Sequence, residues 1–138
     1  MKRLSESAIQ GECVRWFNNN YCLKIHQPRM TFFQVPNEVA MMIRGVLQET
    51  RLPKNMIDKV IAIVSQRLKN MGMRPGTSDM VFVIPNKTLY IEFKTETGYQ
   101  SDNQKEFERT VTELGHKYYI CRSLDQFKSI IEKETGNV

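Results

Sequence analysis

Hydrophobic and polar positions along the chain switch between two periods, and the switches mark out the elements. From Ser5 to Phe17 (SESAIQGECVRWF), Ile9, Cys13, Trp16 and Phe17 recur at helical spacing behind a serine placed as N-cap, which predicts a first helix over about Glu6 to Phe17. After the polar NNNY, the run MTFFQVP (Met30 to Pro36) is rich in β-formers and closes on a proline, as a short strand does. The helical period returns over Glu38 to Thr50 and Asn55 to Met71, separated at Leu52-Pro53. Both of these helices are apolar over more than one stripe, so each needs two partners to bury it.

Beyond the turn-forming Gly72-Met73-Arg74-Pro75-Gly76, the period changes to two. Asp79 to Ile84 (DMVFVI) and Thr88 to Thr95 (TLYIEFKT) flank Pro85-Asn86-Lys87 and read as a β-hairpin. Ser101 and Gln104 have the S-x-x-Q form of a capping box; Phe107, Val111 and Leu114 follow at helical spacing until Gly115 stops the helix. His116 to Cys121 (HKYYIC) is a further core strand. Ser123 and Gln126 form a second S-x-x-Q box, opening a last helix with Phe127, Ile130 and Ile131 on one side. The order α-β-α-α-β-β-α-β-α predicts an α/β fold, a central mixed sheet with helices on both faces, in a single domain over 1–138. The segment at about 38–71 is then a helical insertion.

Composition narrows the class. A chain of 138 residues with 41% apolar residues and a net charge of +5 can bury a core and is neither disordered nor a disulfide scaffold. Its three cysteines contain no C-x-x-C, so structural zinc and thioredoxin chemistry have no support. No run approaches the length of a bilayer span, and the N-terminal MKRLSES lacks an apolar h-region; a cytoplasmic protein with no membrane partner is expected. The charge is unevenly divided: Met1 to Arg74 holds 12 Lys+Arg and 5 Asp+Glu, whereas Pro75 to Val138 holds 8 against 10. A basic half beside an acidic one suits a surface for a polyanion and a separate set of functional carboxylates, although uneven solvated charge has the same look.

The carboxylates that stand out are on the hairpin. In Leu89-Tyr90-Ile91-Glu92-Phe93-Lys94 the period of two puts Glu92 and Lys94 on one face and Leu89, Ile91 and Phe93 on the other. With Asn86-Lys87 as the turn, Asp79 falls opposite Lys94 and Val81 opposite Glu92, so Asp79, Glu92 and Lys94 share a face. An E-x-K pair alone is commonly a solvated face. Here the flanking residues are apolar on both faces, where unpaired charge is costly. Hard oxygen donors without nearby Cys or His favour Mg²⁺, with Mn²⁺ as substitute, and such sites commonly combine one or two carboxylates with substrate phosphate and water. His26 and His116 are isolated and suggest no nucleophilic catalysis.

Gly76-Thr77-Ser78-Asp79, then Ile91-Glu92-Phe93-Lys94, Gly98-Tyr99-Gln100-Ser101 and Gln104, ending at Gly115, resemble in order and spacing the VRR-NUC branch of the PD-(D/E)XK nucleases. Phe32 to Glu38 (FFQVPNE) is similar to that branch's "hvPN" segment, and Ser5-Glu6 to Gln10 to its first helix, so the resemblance covers nearly the whole chain. Two departures are present: Ser78 stands where many members have proline, and Val14-Arg15-Trp16 only partly resembles the tripeptide of the family name.

The resemblance implies a restriction-endonuclease-like fold with Asp79 and Glu92 as metal ligands, the Phe93 carbonyl as a third oxygen and Lys94 positioning or activating water. Glu6 matches the first-helix glutamate. Glu12 is its rival, six residues on and on a different side of the helix. Gln104 matches the family's post-strand glutamine near the metal, yet the capping box already gives it a structural task, and one rotamer is not expected to serve both. Arg74, Lys105 and Arg109 are candidates for phosphate contacts, although helix-surface cations are commonly just solvated. Small stand-alone members act as homodimeric, structure-selective DNA endonucleases related in fold to Holliday junction resolvases, which implies nicking of branched DNA, and a phage or bacterial-host setting. The apolar excess of 38–71 fits a dimer interface or, equally, a satellite core. A flap or duplex nuclease of the same fold, a non-catalytic nucleic-acid binder and a structural dimerisation module stay open.

Overall fold

The computed structural model describes residues 2–136; the outermost residues of the expected 1–138 domain lie outside that range. Helix α1 (Glu6–Phe17) starts at Ser5, whose hydroxyl accepts from the Ala8 N–H at 3.3 Å. It continues into a π-helical turn, Asn18–Cys22, where the sequence suggested only a polar linker. The wider turn keeps Tyr21 against the core: its ring lies 5.1 Å from that of Phe17.

Strand β1 (Thr31–Gln34) is followed by α2 (Val39–Gln48) and α3 (Lys54–Asn70), then β2 (Met80–Ile84), β3 (Lys87–Phe93), α4 (Asp102–Glu113), β4 (Lys117–Cys121) and α5 (Leu124–Thr135). The strands form one sheet in the order β1-β2-β3-β4, antiparallel except for the parallel β3–β4 pair. The expected order of helices and strands and the mixed α/β sheet are therefore present.

Two local expectations change. The hairpin pairs Ile84 with Lys87 and Val81 with Tyr90, so its turn is Pro85-Asn86 and not Asn86-Lys87. Proline's locked φ suits the first central position of a type II turn, and Asn86, at φ 62°, supplies the left-handed second position. The alternative turn would place Lys87 at positive φ, where a Cβ is strained. The other change is at Ser123, which accepts from the Gln126 N–H at 3.1 Å, while the Gln126 amide oxygen takes the Arg122 N–H instead of completing the box.

The core sits on one face of the sheet. Leu89, Ile91 and Phe93 of β3 and Met80, Phe82 and Ile84 of β2 are buried against Ile9, Cys13 and Phe17 of α1 and Phe127, Ile130 and Ile131 of α5. Helix α4 covers the opposite face, where Phe107 packs edge-on to Tyr90 and Tyr118. Between these layers lies the strand face carrying Glu92. The α2–α3 hairpin is different: α2 packs against α3, no α2 residue is fully buried, and on α3 only Ile57 is.

Candidate active site

The ladder of β2 and β3 pairs Met80 with Ile91, and its next step sets Asp79 beside Glu92, not Lys94. This register differs from the expected one by a whole pleat, so the side-chain parity is unchanged. Asp79, Glu92 and Lys94 still share a face. Asp79 lies just before β2, its carbonyl accepting from the Val35 N–H at 2.8 Å and its Oδ2 from the Phe93 N–H at 2.7 Å. The charged end of the hairpin is thereby tied to both neighbouring segments.

Glu92 is 2% exposed and Lys94 9%. The two oxygens of Glu92 have different surroundings. Oε1 accepts from Lys94 Nζ at 3.3 Å and from Gln104 Nε2 at 2.5 Å, whereas Oε2 is buried with no hydrogen-bond partner. An orphaned carboxylate oxygen is expensive unless something cationic or protic meets it. Burial, with the neighbouring Asp79 charge behind it and Lys94 opposing, pushes the Glu92 carboxyl up to about 7. Asp79 is also raised, by burial, against the pull of the Phe93 N–H and Lys94.

Gln104 departs from the expectation that capping and site duties exclude each other. Its Oε1 accepts the Ser101 N–H at 2.8 Å, completing the capping box, while its Nε2 donates to Glu92. One rotamer serves both because the amide carries an acceptor and a donor on opposite corners. The Gly76 backbone, at φ +81°, makes this close assembly possible. A Cβ there would lie 2.3 Å from the Asn103 carbonyl carbon.

Glu6 in the first turn of α1 shares a cavity of about 320 Å³ with Asp79, Gln10, Asn37, Glu38 and Met42. Its rival Glu12 lines a separate cavity with Thr95, Glu96 and Arg122. Their separation around the helix places only Glu6 beside Asp79. Arg74 is exposed in the loop leading to Asp79. Lys105 and Arg109 lie on the outer surface of α4, and Arg109 is paired with Glu106.

Several residues around the site escaped the sequence reading. Glu38 lines the Asp79 cavity and adds negative charge to it. Arg122 donates to the carbonyls of Thr95 at 2.6 Å and Gly98 at 2.8 Å, holding the loop after Lys94. Gln100 donates to Glu108 at 2.7 Å and to the Tyr118 hydroxyl at 3.4 Å. Asn37 donates to the carbonyls of Thr77 and Ser78. Only position in the resembling segments pointed to Asn37, Glu38 and Gln100, and nothing local marked Arg122 or Tyr118.

The donor set fits a hard divalent cation. It offers two carboxylates, half-buried Asp79 and buried Glu92, the latter with a free oxygen, without Cys or His beside them. Among the described residues no three His, Cys, Asp or Glu side chains gather as a metal-holding group. A cation here would therefore complete its shell with backbone oxygen, water and substrate, as magnesium ordinarily does.

A VRR-NUC domain model matches residues 5–125. A solved structure described as a VRR_NUC domain protein superposes with a TM-score of 0.66 at 18% identity, covering 96% of this chain and 89% of its own, which shows a shared fold. No curated protein gives a match. With its model spanning most of the sequence, and the mixed sheet and carboxylate hairpin in place, the chain belongs to the VRR-NUC domain family, a nuclease-type family within the PD-(D/E)XK superfamily.

Proposed function

We propose that the protein is a Mg²⁺-dependent, structure-selective endodeoxyribonuclease that hydrolyses phosphodiester bonds and nicks four-way DNA junctions as a homodimer, with Mn²⁺ able to substitute. The observation that carries the metal-dependent reading is the buried, unpartnered Oε2 of Glu92 beside Asp79. Asp79, Glu92 and the Phe93 carbonyl would hold the cation. When bound, such a cation supplies positive charge at the scissile phosphate and makes a nearby water more acidic than bulk. Lys94 adds a fixed positive charge 3.3 Å from Glu92 Oε1. Gln104 holds that same oxygen and so leaves Oε2 as the free donor. Glu6 contributes a further carboxylate to the cavity that reaches Asp79.

The homodimer reading rests on the α2–α3 hairpin. Met41, Met42, Val46, Met56, Val60 and Ile63 are all exposed, with Met41 and Met42 near 70%. On α3, Met56, Val60 and Ile63 repeat at helical spacing beside the row Ile57, Ile61, Val64 and Leu68. One helical hairpin cannot cover both stripes, and a second copy would cover the exposed one. Arg74, Lys105 and Arg109 supply candidate contacts to the DNA backbone, which position without reading sequence.

The test is cleavage of labelled four-way junction, flap and linear duplex with Mg²⁺ or Mn²⁺, wild type against Glu92→Gln. Symmetric junction nicks that disappear in the variant are the expected result. Cutting of flaps or duplex alone keeps a nuclease but removes junction selectivity. Tight DNA binding without any cleavage leaves a non-catalytic binding module.

A further inference from the structure

We infer that Asn37 is a positioning residue that fixes Asp79 for cation binding by clamping the two peptide groups before it; this rests on the metal-dependent reading of the site. Asn37 lies between β1 and α2, and Thr77 and Ser78 lie after α3, so the clamp closes the base of the helical hairpin. Its Nδ2 donates to the Thr77 carbonyl at 2.7 Å and the Ser78 carbonyl at 3.1 Å, and its Oδ1 accepts from the Thr77 hydroxyl. Every polar atom of this amide is therefore spent on the segment that leads into Asp79.

The rest of that segment is held from other directions. The Val35 N–H donates to the Asp79 carbonyl, the Phe93 N–H donates to Oδ2, and Ser78 is fully buried. Asp79 lies outside the regular ladder of β2, so strand pairing by itself leaves the peptides at 77 and 78 without fixed orientation. Asn37 supplies it. Groups that orient a ligand without touching the metal commonly affect metal affinity about 10–100-fold when removed. Thr77 Oγ1 contributes one contact to the clamp, and the two donated bonds contribute the orientation of the backbone.

Mn²⁺ binding to the purified protein, with free ion read by electron paramagnetic resonance and folding by circular dichroism, tests this without any cleavage. Asn37→Ala is expected to fold and to bind Mn²⁺ about 10-fold more weakly, while Thr77→Val has a smaller effect. Asn37→Asp preserves size and the hydroxyl contact but turns both donated bonds into oxygen–oxygen repulsion. It is expected to weaken Mn²⁺ binding even though it adds negative charge to the cavity, and it carries the test if the alanine variant fails to fold. Wild-type or tighter affinity in these folded Asn37 variants, while Asp79→Asn and Glu92→Gln lose binding, overturns the role of Asn37 alone. Unchanged Mn²⁺ binding in Asp79→Asn, or no binding by the wild type, removes the metal reading and the inference with it.

Discussion

At Glu92 a carboxylate is held 2% exposed, with Lys94 and Gln104 on one oxygen and no partner on the other. Its folded pKa is raised from an ordinary 4.5 to about 7, by burial first and the Asp79 charge second. For a carboxylate raised on folding, the unfolded chain ionises first, so without metal a stability penalty builds as pH rises from 4.5 through about 7 and is full above it. Glu92→Gln, measured with chelator present, should therefore raise the melting temperature at pH 8, equivalent to about 1–3 kcal/mol, and change it little at pH 4. An equal or lower melting temperature at pH 8 would contradict that account. Cleavage should be lost in the same variant. Gln104→Ala removes a reciprocal cap bond and the 2.5 Å contact to Glu92. The expected cost is about 1 kcal/mol in stability, by denaturant titration, and a fall of about 10–100-fold in cleavage rate.

The elements around these residues are held together at a few close points. Gly76 is one, because its positive φ and the approach of Asn103 exclude a side chain. Gly76→Ala should destabilise by about 2–4 kcal/mol, as the loop before Asp79 separates from α4, and urea unfolding measures it. A cost under about 0.5 kcal/mol would mean that the loop and helix can separate freely, which the contact denies. The hairpin illustrates how local chemistry and pairing divide the work. Alternating apolar residues in TLYIEFKT were enough to put Glu92 and Lys94 on one face, since strand periodicity is a backbone property. The turn residue was not legible by alternation: Pro85 and Asn86 take the turn because their φ preferences match it, and this moved Asp79 from Lys94 to Glu92.

Across the whole molecule, the proposed homodimer rests on the exposed stripes of α2 and α3, and the proposed encounter with DNA on the basic excess of the first half. Val60→Asp combined with Met56→Ser should convert a dimer to a monomer in sedimentation without lowering the monomer's helicity, because both residues are exposed in the single chain. A wild type that sediments as a monomer at micromolar concentration would count against the dimer. Binding to junction DNA should weaken linearly in log affinity against log salt, through release of counterions from phosphates met by Lys and Arg. Among the described residues no helix is long and apolar enough to cross a membrane.

Local spacing along the chain was enough for the succession of helices and strands, the helix starts at Ser5, Ser101 and Ser123, and the shared face of Glu92 and Lys94. Each of these depends on residues within a few positions of one another, where backbone period and capping act. Long-range packing is what sets Glu6 and not Glu12 beside Asp79, lets Gln104 cap and bond Glu92 at once, and brings Asn37 to grip Thr77, 40 residues away. Those outcomes come from how α1, α4 and the segments flanking the helical hairpin meet at one sheet end, and no spacing along the chain encodes the angle at which separate elements meet.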